Sequence, residues 1–387
     1  MAVALKEAEV LSEFLLSSDI TFLNHGSFGA TPRALMQKQR NLQDLMERQP
    51  VHFMERLLPD LLQESKSIVA DFLGTASENL VFLANATTAL NMILDNMTLM
   101  QGDEILATNH QYDAVKFTLQ RIAKQTGASV RVIEIPFPIP PPEQIVDTVL
   151  TEIRPNTKAL VIDHVTSPTA VRLPVEEIAK ELKDSDVRVI VDGAHAPGQI
   201  DVALDREHFD YWAGNLHKWC CAPKGCAVLY VAPQHQETFQ SSITSHGFQC
   251  GMQQEFSWLG TDDFTPYLIA GEAVRLHQQW GDATFRQRNF ELMKEASSIL
   301  LKDHPQFVAS HPQSTLAMRS FAFGYPIERD LYHKCLNEAH IEVVIQRWGQ
   351  RCLMRISCFS RYNTLEDYEY LSSTLCKFLK NNRRSGS

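Results

Sequence analysis

Cysteine is missing from the first 219 residues of this 387-residue chain, no long run carries charge of one sign, and no apolar run approaches the ~18 residues of a membrane span. Each absence excludes something. The eight cysteines, at 220, 221, 226, 250, 335, 352, 358 and 376, include an adjacent pair, build no disulfide ladder and match no zinc-ribbon spacing, so they read as reduced thiols. The 36 basic residues are outnumbered by 46 acidic ones, for a net charge of −10, so there is neither a nucleic-acid footprint nor a polybasic membrane patch. The opening MAVALKEAEVLSEFLLSSD carries four acidic residues and no basic stretch ahead of an apolar core, which argues against a secretory leader. The expectation is a soluble, cytoplasmic protein with no resident metal. Repeats and low-complexity stretches are also lacking, and the polar tail NNRRSGS reads as disordered.

What is present is a large core. With 44% hydrophobic residues, the chain has enough apolar content for about two domains. Near-continuous apolar runs recur at 79–84, 103–108, 129–135, 158–165, 187–192 and 225–231, and read as buried strands. Asp113–Gln125 and Val175–Leu182 lie between them with apolar residues at helical spacing, so the fold class is α/β with a mostly parallel sheet. PFPIPPPEQ at 136–144 reads as a surface connection, because consecutive prolines supply no ladder donors. After Gly260 the pattern turns helical to about His304. Short strands (TLAMRSFAF, HIEVVIQ, CLMRISC) then alternate with helical segments at 328–339 and 364–380, as in a smaller α+β domain.

Chemistry concentrates in one stretch. The strand VRVIVD ends in Asp192, where open α/β sheets place their ligands, and Lys218 follows 26 residues later in the turn-rich GNLHKWCCAPKG. A lysine in that context suits a Schiff-base amine. Pyridoxal phosphate would use both: the lysine to hold its aldehyde as an imine, the carboxylate to keep its ring nitrogen protonated. Donors for its phosphate would come from LANATTALN at 83–91, where Ala86, Thr87 and Thr88 open a helical pattern whose dipole favours an anion. A threonine pair before an apolar helix is more often a helix cap than a phosphate site, so alone this signal is weak.

These segments resemble the class V aminotransferase-like, fold-type I pyridoxal-phosphate enzymes, and most of all their isopenicillin N epimerase-like branch. The resemblance is carried by FLNHGSFGATP at 22–32, NATTALN at 85–91, NHQYDAV at 109–115, DHVTSPTA at 163–170, VDGAHAPGQ at 191–199, LHKW at 216–219, LGTDDFTPY at 259–267 and RISCFSRYNT at 355–364, in order along nearly the whole chain. It implies a fold-type I transferase architecture with a mostly parallel, seven-stranded-type sheet. The division would be an N-terminal segment (1–49) packed with the small domain, a large cofactor domain (50–265) and a small C-terminal domain (266–387). A homodimer with shared active sites, pyridoxal phosphate as cofactor and an α-amino acid as substrate also follow from the resemblance.

Carried over by position, Lys218 is the Schiff-base lysine and the acid/base at Cα, with Lys224 its local competitor. Asp192 pairs with the ring nitrogen, while His195 and Ser167 lie near the ring hydroxyl. His110 stacks on the ring, with Tyr112 the second candidate. Ala86, Thr87, Thr88, Asn215 and His217 hold the phosphate, joined by Gly260 and Thr261 of the other subunit. Arg355 takes the substrate carboxylate as a bidentate pair, and Asn24 and His25 line the substrate mouth. Cysteine desulfurases of this fold carry a loop cysteine a dozen or more residues before that arginine. Here VVIQRWGQRCLM offers only Cys352, three residues away, so desulfuration is disfavoured. The reading is Cα-proton removal, with β-elimination by a C–S lyase ranked ahead of epimerisation, which would use Tyr112 or His110 as a second acid. Transamination is a third outcome, and a non-catalytic cofactor-binding protein the remotest.

Overall fold

The computed structural model describes residues 13–311, 313–324 and 330–382. Most of the acidic N-terminal opening and the last five residues of the tail lie outside the described residues. Seven strands form the principal sheet: β1 (Leu80–Leu83), β2 (Glu104–Thr108), β3 (Ser129–Ile133), β4 (Thr157–Asp163), β5 (Arg188–Asp192), β6 (Tyr211–Asn215) and β7 (Ala227–Val231), in the spatial order β1-β7-β6-β5-β4-β2-β3. β7 is antiparallel to both its neighbours, and every other pairing is parallel. The carboxyl ends of all strands except β7 therefore meet on one side of the sheet.

Both faces are covered, which is why the strands read as continuous apolar runs. Leu106, Leu160, Ile162, Val189 and Val191 pack into one core, and the alternating Ile105, Ala107, Ala159, Val161 and Ile190 into another. β6 is the strand that the apolar pattern does not announce. Its YWAGN run includes a glycine and an asparagine, which disfavour strands locally, yet neighbours on both sides pair with it.

The helices used below are α1 (Arg33–Arg48), α2 (Leu58–Leu73), α3 (Ala86–Asp95), α4 (Asp113–Thr126), α5 (Pro142–Thr151), α6 (Val175–Leu182), α7 (Thr265–Gln279), α8 (Ala283–Asp303), α9 (Leu331–Ala339) and α10 (Leu365–Asn382). A second, antiparallel sheet is ordered β10-β11-β9-β8, from β8 (Val308–Ala309), β9 (Met318–Ala322), β10 (Val344–Trp348) and β11 (Arg351–Ser357). It shares a core with α8, α9 and α10 through Met293, Leu300, Cys335, Tyr368 and Leu371.

Two placements refine the sequence reading. Thr21–Phe22 pairs in parallel with Ile341–Glu342, which joins the N-terminal segment to the region of the second sheet, whereas α1 packs against α7. α7 in turn lies on α2, and its Ile269, Ala270, Ala273 and Val274 enter the principal core. A helical period shows that a helix has an apolar face, not which core receives it. Among the described residues no helix is long and apolar enough to cross a membrane.

Candidate active site

A cavity of about 510 Å³ opens at the carboxyl ends of β1, β4, β5 and β6. Its floor is strand ends. Asp192 terminates β5, and one carboxylate oxygen accepts from the Ala194 N–H at 2.9 Å. Asp163 terminates β4 in register beside it, and its Oδ2 is buried without a partner among the described residues. Burial pushes both acids up, and Asp163 is driven further by the neighbouring Asp192 charge, whereas the Ala194 N–H and Lys218 restrain Asp192. At the end of β6, Asn215 accepts from the Ala86 N–H at 2.9 Å, which ties the start of α3 to the sheet. Asn85 caps α3 by accepting from the Thr88 N–H at 2.9 Å and the Thr88 hydroxyl at 3.1 Å.

Lys218 stands over this floor. Its Nζ is 3.1 Å from His195 Nε2, and the indole N–H of Trp219 points at His195 Nδ1 from 3.4 Å. With Nδ1 accepting, the imidazole carries its proton on Nε2. Desolvation holds His195 well below its ordinary value, so it is neutral. Desolvation, reinforced by the Arg355 charge and opposed by Asp192, lowers the Lys218 amine to about 7, in the range of a working base at neutral pH. Lys224 also borders the cavity, but its Nζ donates to the Gly29 carbonyl at 2.9 Å and to the Thr31 hydroxyl at 3.3 Å. The N-terminal turn rests directly on the lysine's backbone. A Cβ on Gly29, where φ is +69°, would lie 2.2 Å from the His217 carbonyl oxygen and 2.6 Å from that of Lys218.

The opposite wall comes from the N-terminal segment and the second sheet. Arg355 on β11 is buried, and it donates to the Ser167 carbonyl at 2.7 Å, the Ser167 hydroxyl at 3.0 Å and the Ser27 hydroxyl at 2.9 Å, while its Nε–H has no partner among the described residues. Phe28, Tyr112, Val344 and Gln346 complete this side.

The structure thus brings Lys218, Asp192, His195, Ala86, Thr87, Ser167, Asn215, His217, Arg355 and Tyr112 around one space. His217 is anchored by Nδ1 donating to the Cys226 carbonyl at 2.8 Å, and desolvation lowers it to about 4. Ser167 lines the cavity and accepts from Arg355 through both its carbonyl and its hydroxyl oxygen. His110 lies outside the cavity lining, its ring nitrogens bonded to the Thr169 hydroxyl at 2.6 Å and the Ile135 carbonyl at 3.0 Å, and Tyr112 is in the lining. Thr88 is occupied in capping α3. His25 is fully buried, stacks on Phe359 at 4.0 Å and bonds Tyr362 Oη at 2.6 Å and the Lys218 carbonyl at 3.1 Å, so it supports the lysine's backbone rather than facing substrate. Asn24 likewise lies behind the lining, bonded to Ser27 and Glu342. Gly260 and Thr261 sit apart from this cavity, and Thr261 is exposed.

Sequence reasoning missed Asp163, Ser27, Phe28 and Gln346. Asp163 carried a signal, since KALVIDHV places an acid at its strand end just as VRVIVD does. None of the eight cysteines, all unpaired, lines the cavity. Cys352 is three residues from Arg355 on β11 and so points to the other face, and burial raises its thiol.

This constellation matches a known family across most of the chain: the aminotransferase class-V model covers residues 30–371. The chain belongs to the class V aminotransferase family. Isopenicillin N epimerase of Streptomyces clavuligerus is 28% identical to this class V enzyme, over 97% of this chain and 98% of that protein. L-cysteine desulfhydrase of Arabidopsis thaliana is 26% identical, over 98% and 92%. Among solved structures, the complex of the cystine C-S lyase C-DES with cysteine persulfide superposes with a TM-score of 0.81 at 20% identity, covering 93% of this chain and 98% of that one. The apo cysteine desulfurase of Thermococcus onnurineus NA1 does so with 0.82 at 21%, covering 97% and 98%. Those structures share the fold-type I architecture. The family is pyridoxal-phosphate dependent, and the cavity of this class V enzyme fits that cofactor. It presents a lysine amine with a lowered proton affinity, a strand-end carboxylate with one oxygen uncommitted to the Ala194 bond, a carboxyl oxygen on Asp163 with no partner among the described residues, and the Thr87 N–H at the start of α3, whose neighbours Ala86 and Thr88 donate to Asn215 and Asn85.

Proposed function

We propose that this class V enzyme is a C–S lyase that eliminates a sulfur leaving group from Cβ of an α-amino acid such as a cysteine conjugate or sulfoxide. The observation that carries the reading is a Lys218 amine lowered to about 7, facing the same cavity as an Arg355 with no carboxylate partner among the described residues. Pyridoxal phosphate, held by Lys218, Asp192, His195, Ala86, Thr87, Asn215 and His217, supplies the electron sink that makes a Cα–H bond acidic. Arg355 orients the substrate by its carboxylate, for which a planar guanidinium lining the cavity is suited. Lys218, neutral above about pH 7, takes the Cα proton. As an ammonium it stands to return that proton to the departing sulfur, and the unsaturated amino acid left behind hydrolyses in water to an oxo acid and ammonia. A protonated ring nitrogen on the bound cofactor would hold Asp192 ionised against the upward push of burial, and neutral His195 donates from Nε2 without adding charge beside the amine.

The relatives named L-cysteine desulfhydrase support a lyase. The lack of a cavity thiol and the burial of His110 behind the lining count against persulfide chemistry and against one of the two second acids. Epimerisation is the second reading, favoured by Tyr112 in the lining and by the relatives named isopenicillin N epimerase. The same proposal includes the division at residues 49 and 265, adjusted by α7 packing with the principal core. It also includes a reducing, cytoplasmic setting for the unpaired thiols and a homodimer in which Gly260 and Thr261 of one copy reach the phosphate end of the other's cavity.

The deciding experiment follows the visible spectrum of the purified holoenzyme on addition of cysteine conjugates and of D- and L-amino acids, with oxo-acid release and solvent exchange of the α-proton assayed in parallel. A spectral shift with oxo-acid release establishes the lyase. Exchange without oxo acid establishes the epimerase, and absence of any cofactor band after loading overturns the assignment.

A further inference from the structure

Among the described residues Arg355 is a buried cation solvated by neutral oxygens alone. Such a charge is costly unless those oxygens hold their lone pairs toward it. Two of the three belong to Ser167. The third is the Ser27 hydroxyl, which accepts from Arg355 only while its own proton points elsewhere. That proton goes to Asn24 Oδ1, 2.6 Å away. Asn24 keeps its oxygen on that side because its amide nitrogen donates outward to Glu342 Oε1 at 3.2 Å, and a carboxylate only accepts. Both ends are pinned by backbone, since Phe22 pairs with Glu342 and the Leu23 N–H donates to the Glu342 carbonyl at 3.0 Å. Each link fixes the orientation of the next: the carboxylate sets the amide, the amide sets the hydroxyl rotor, and the hydroxyl offers a lone pair to the guanidinium.

We infer that Glu342, Asn24 and Ser27 form a directional hydrogen-bond relay that orients the Arg355 guanidinium and so sets affinity for the substrate α-carboxylate rather than the rate of bond breaking. This rests on the reading that Arg355 binds that carboxylate. The three are positioning residues. Glu342→Gln is the informative change, because a glutamine can offer its own N–H₂ to Asn24 and lets the amide turn over, which removes the directionality while keeping the volume.

The test uses the holoenzyme, with steady-state kinetics on L-cysteine and an equilibrium absorbance titration with L-alanine, which binds without a sulfur to eliminate. Glu342→Gln, Asn24→Ala and Ser27→Ala should each raise KM and the L-alanine dissociation constant about tenfold, the worth of one hydrogen bond to a charged group, with kcat little changed. Ser27→Thr should restore the affinity. Glu342→Gln in the Ser27→Ala background should add nothing further, since the relay is already cut. Additive effects in that double variant, a fall in kcat at unchanged KM, or no rescue by threonine would overturn the relay. If Asn24→Ala melts early, the Glu342→Gln and Ser27→Thr pair decides the matter. Arg355→Ala separates the two levels. Unchanged L-alanine affinity in that variant removes the carboxylate reading itself, whereas weakened affinity there with normal relay variants removes only the relay.

Discussion

The floor of the cavity and its outer wall are built from different kinds of chain segment, and they behave differently as electrostatic objects. On the floor, Asp163, Asp192 and Asn215 sit at the carboxyl ends of adjacent parallel strands, so the register of one sheet sets their spacing. The wall joins Ser27 to Arg355 across 328 residues of sequence, through side-chain hydrogen bonds. The floor concentrates negative charge that burial resists, and it answers with raised acids. The wall concentrates a cation without a partner, and it answers with oriented neutral oxygens. Lys218 stands between them and feels both: Arg355 lowers its proton affinity and Asp192 raises it. A base near neutrality is the balance of two separately built regions.

Removing the amine between them should have the largest effect. Lys218→Ala should lower turnover on the order of 10³-fold, read as oxo-acid release, with the fold retained by circular dichroism. Breaking the wall comes next. Arg355→Ala should weaken amino-acid binding by roughly 2–5 kcal/mol while cofactor retention on dialysis holds. The same variant tests the balance by its pH dependence. A neutral amine is needed to capture the cofactor aldehyde, so loading of the wild-type apoprotein should rise through about pH 7. Without the Arg355 charge, which pushes the amine down, that midpoint should move to higher pH, and an unmoved midpoint would mean the two regions are not coupled.

Asp163→Asn isolates the floor. The acid's folded value lies above its unfolded 3.8, so the folded state binds more protons than the unfolded one, and stability is lost as pH rises above about 4. Replacing it with an amide should therefore raise the apoprotein melting temperature at pH 8 and leave it little changed below pH 4. Smallest of all, Cys352→Ser should leave kcat/KM unchanged, because the thiol faces away from the cavity. A loss of sulfur transfer in that variant would reopen persulfide chemistry.

Much of the floor is legible in the sequence. VRVIVD ends in its acid, LANATTALN runs from strand to helix, and LHKW carries the lysine, because a strand-end motif keeps its functional residue a fixed step from the apolar pattern that builds the strand. Asp163 obeys the same rule in KALVIDHV. The wall was only partly legible. Arg355 was visible as a charge at the head of an apolar strand, but its partners were not. Asn24 and His25 carry donors and acceptors that look ready for substrate, and both are spent internally, on Ser27 and Glu342 in one case and on Tyr362 and the Lys218 carbonyl in the other. His110 and Tyr112 differ by only two residues, and the turn before α4 decided which of them faces the cavity.

By itself the sequence determined that this protein has a parallel α/β core, an acid and a lysine at its strand-end site, and an arginine on a later strand, because hydrophobic period and strand-end placement are local properties of the chain. Tertiary structure alone decided which polar side chains keep free donors and acceptors at the cavity, because a hydroxyl, amide or imidazole is available to a ligand only if no neighbour has already satisfied it, and those neighbours lie up to hundreds of residues away.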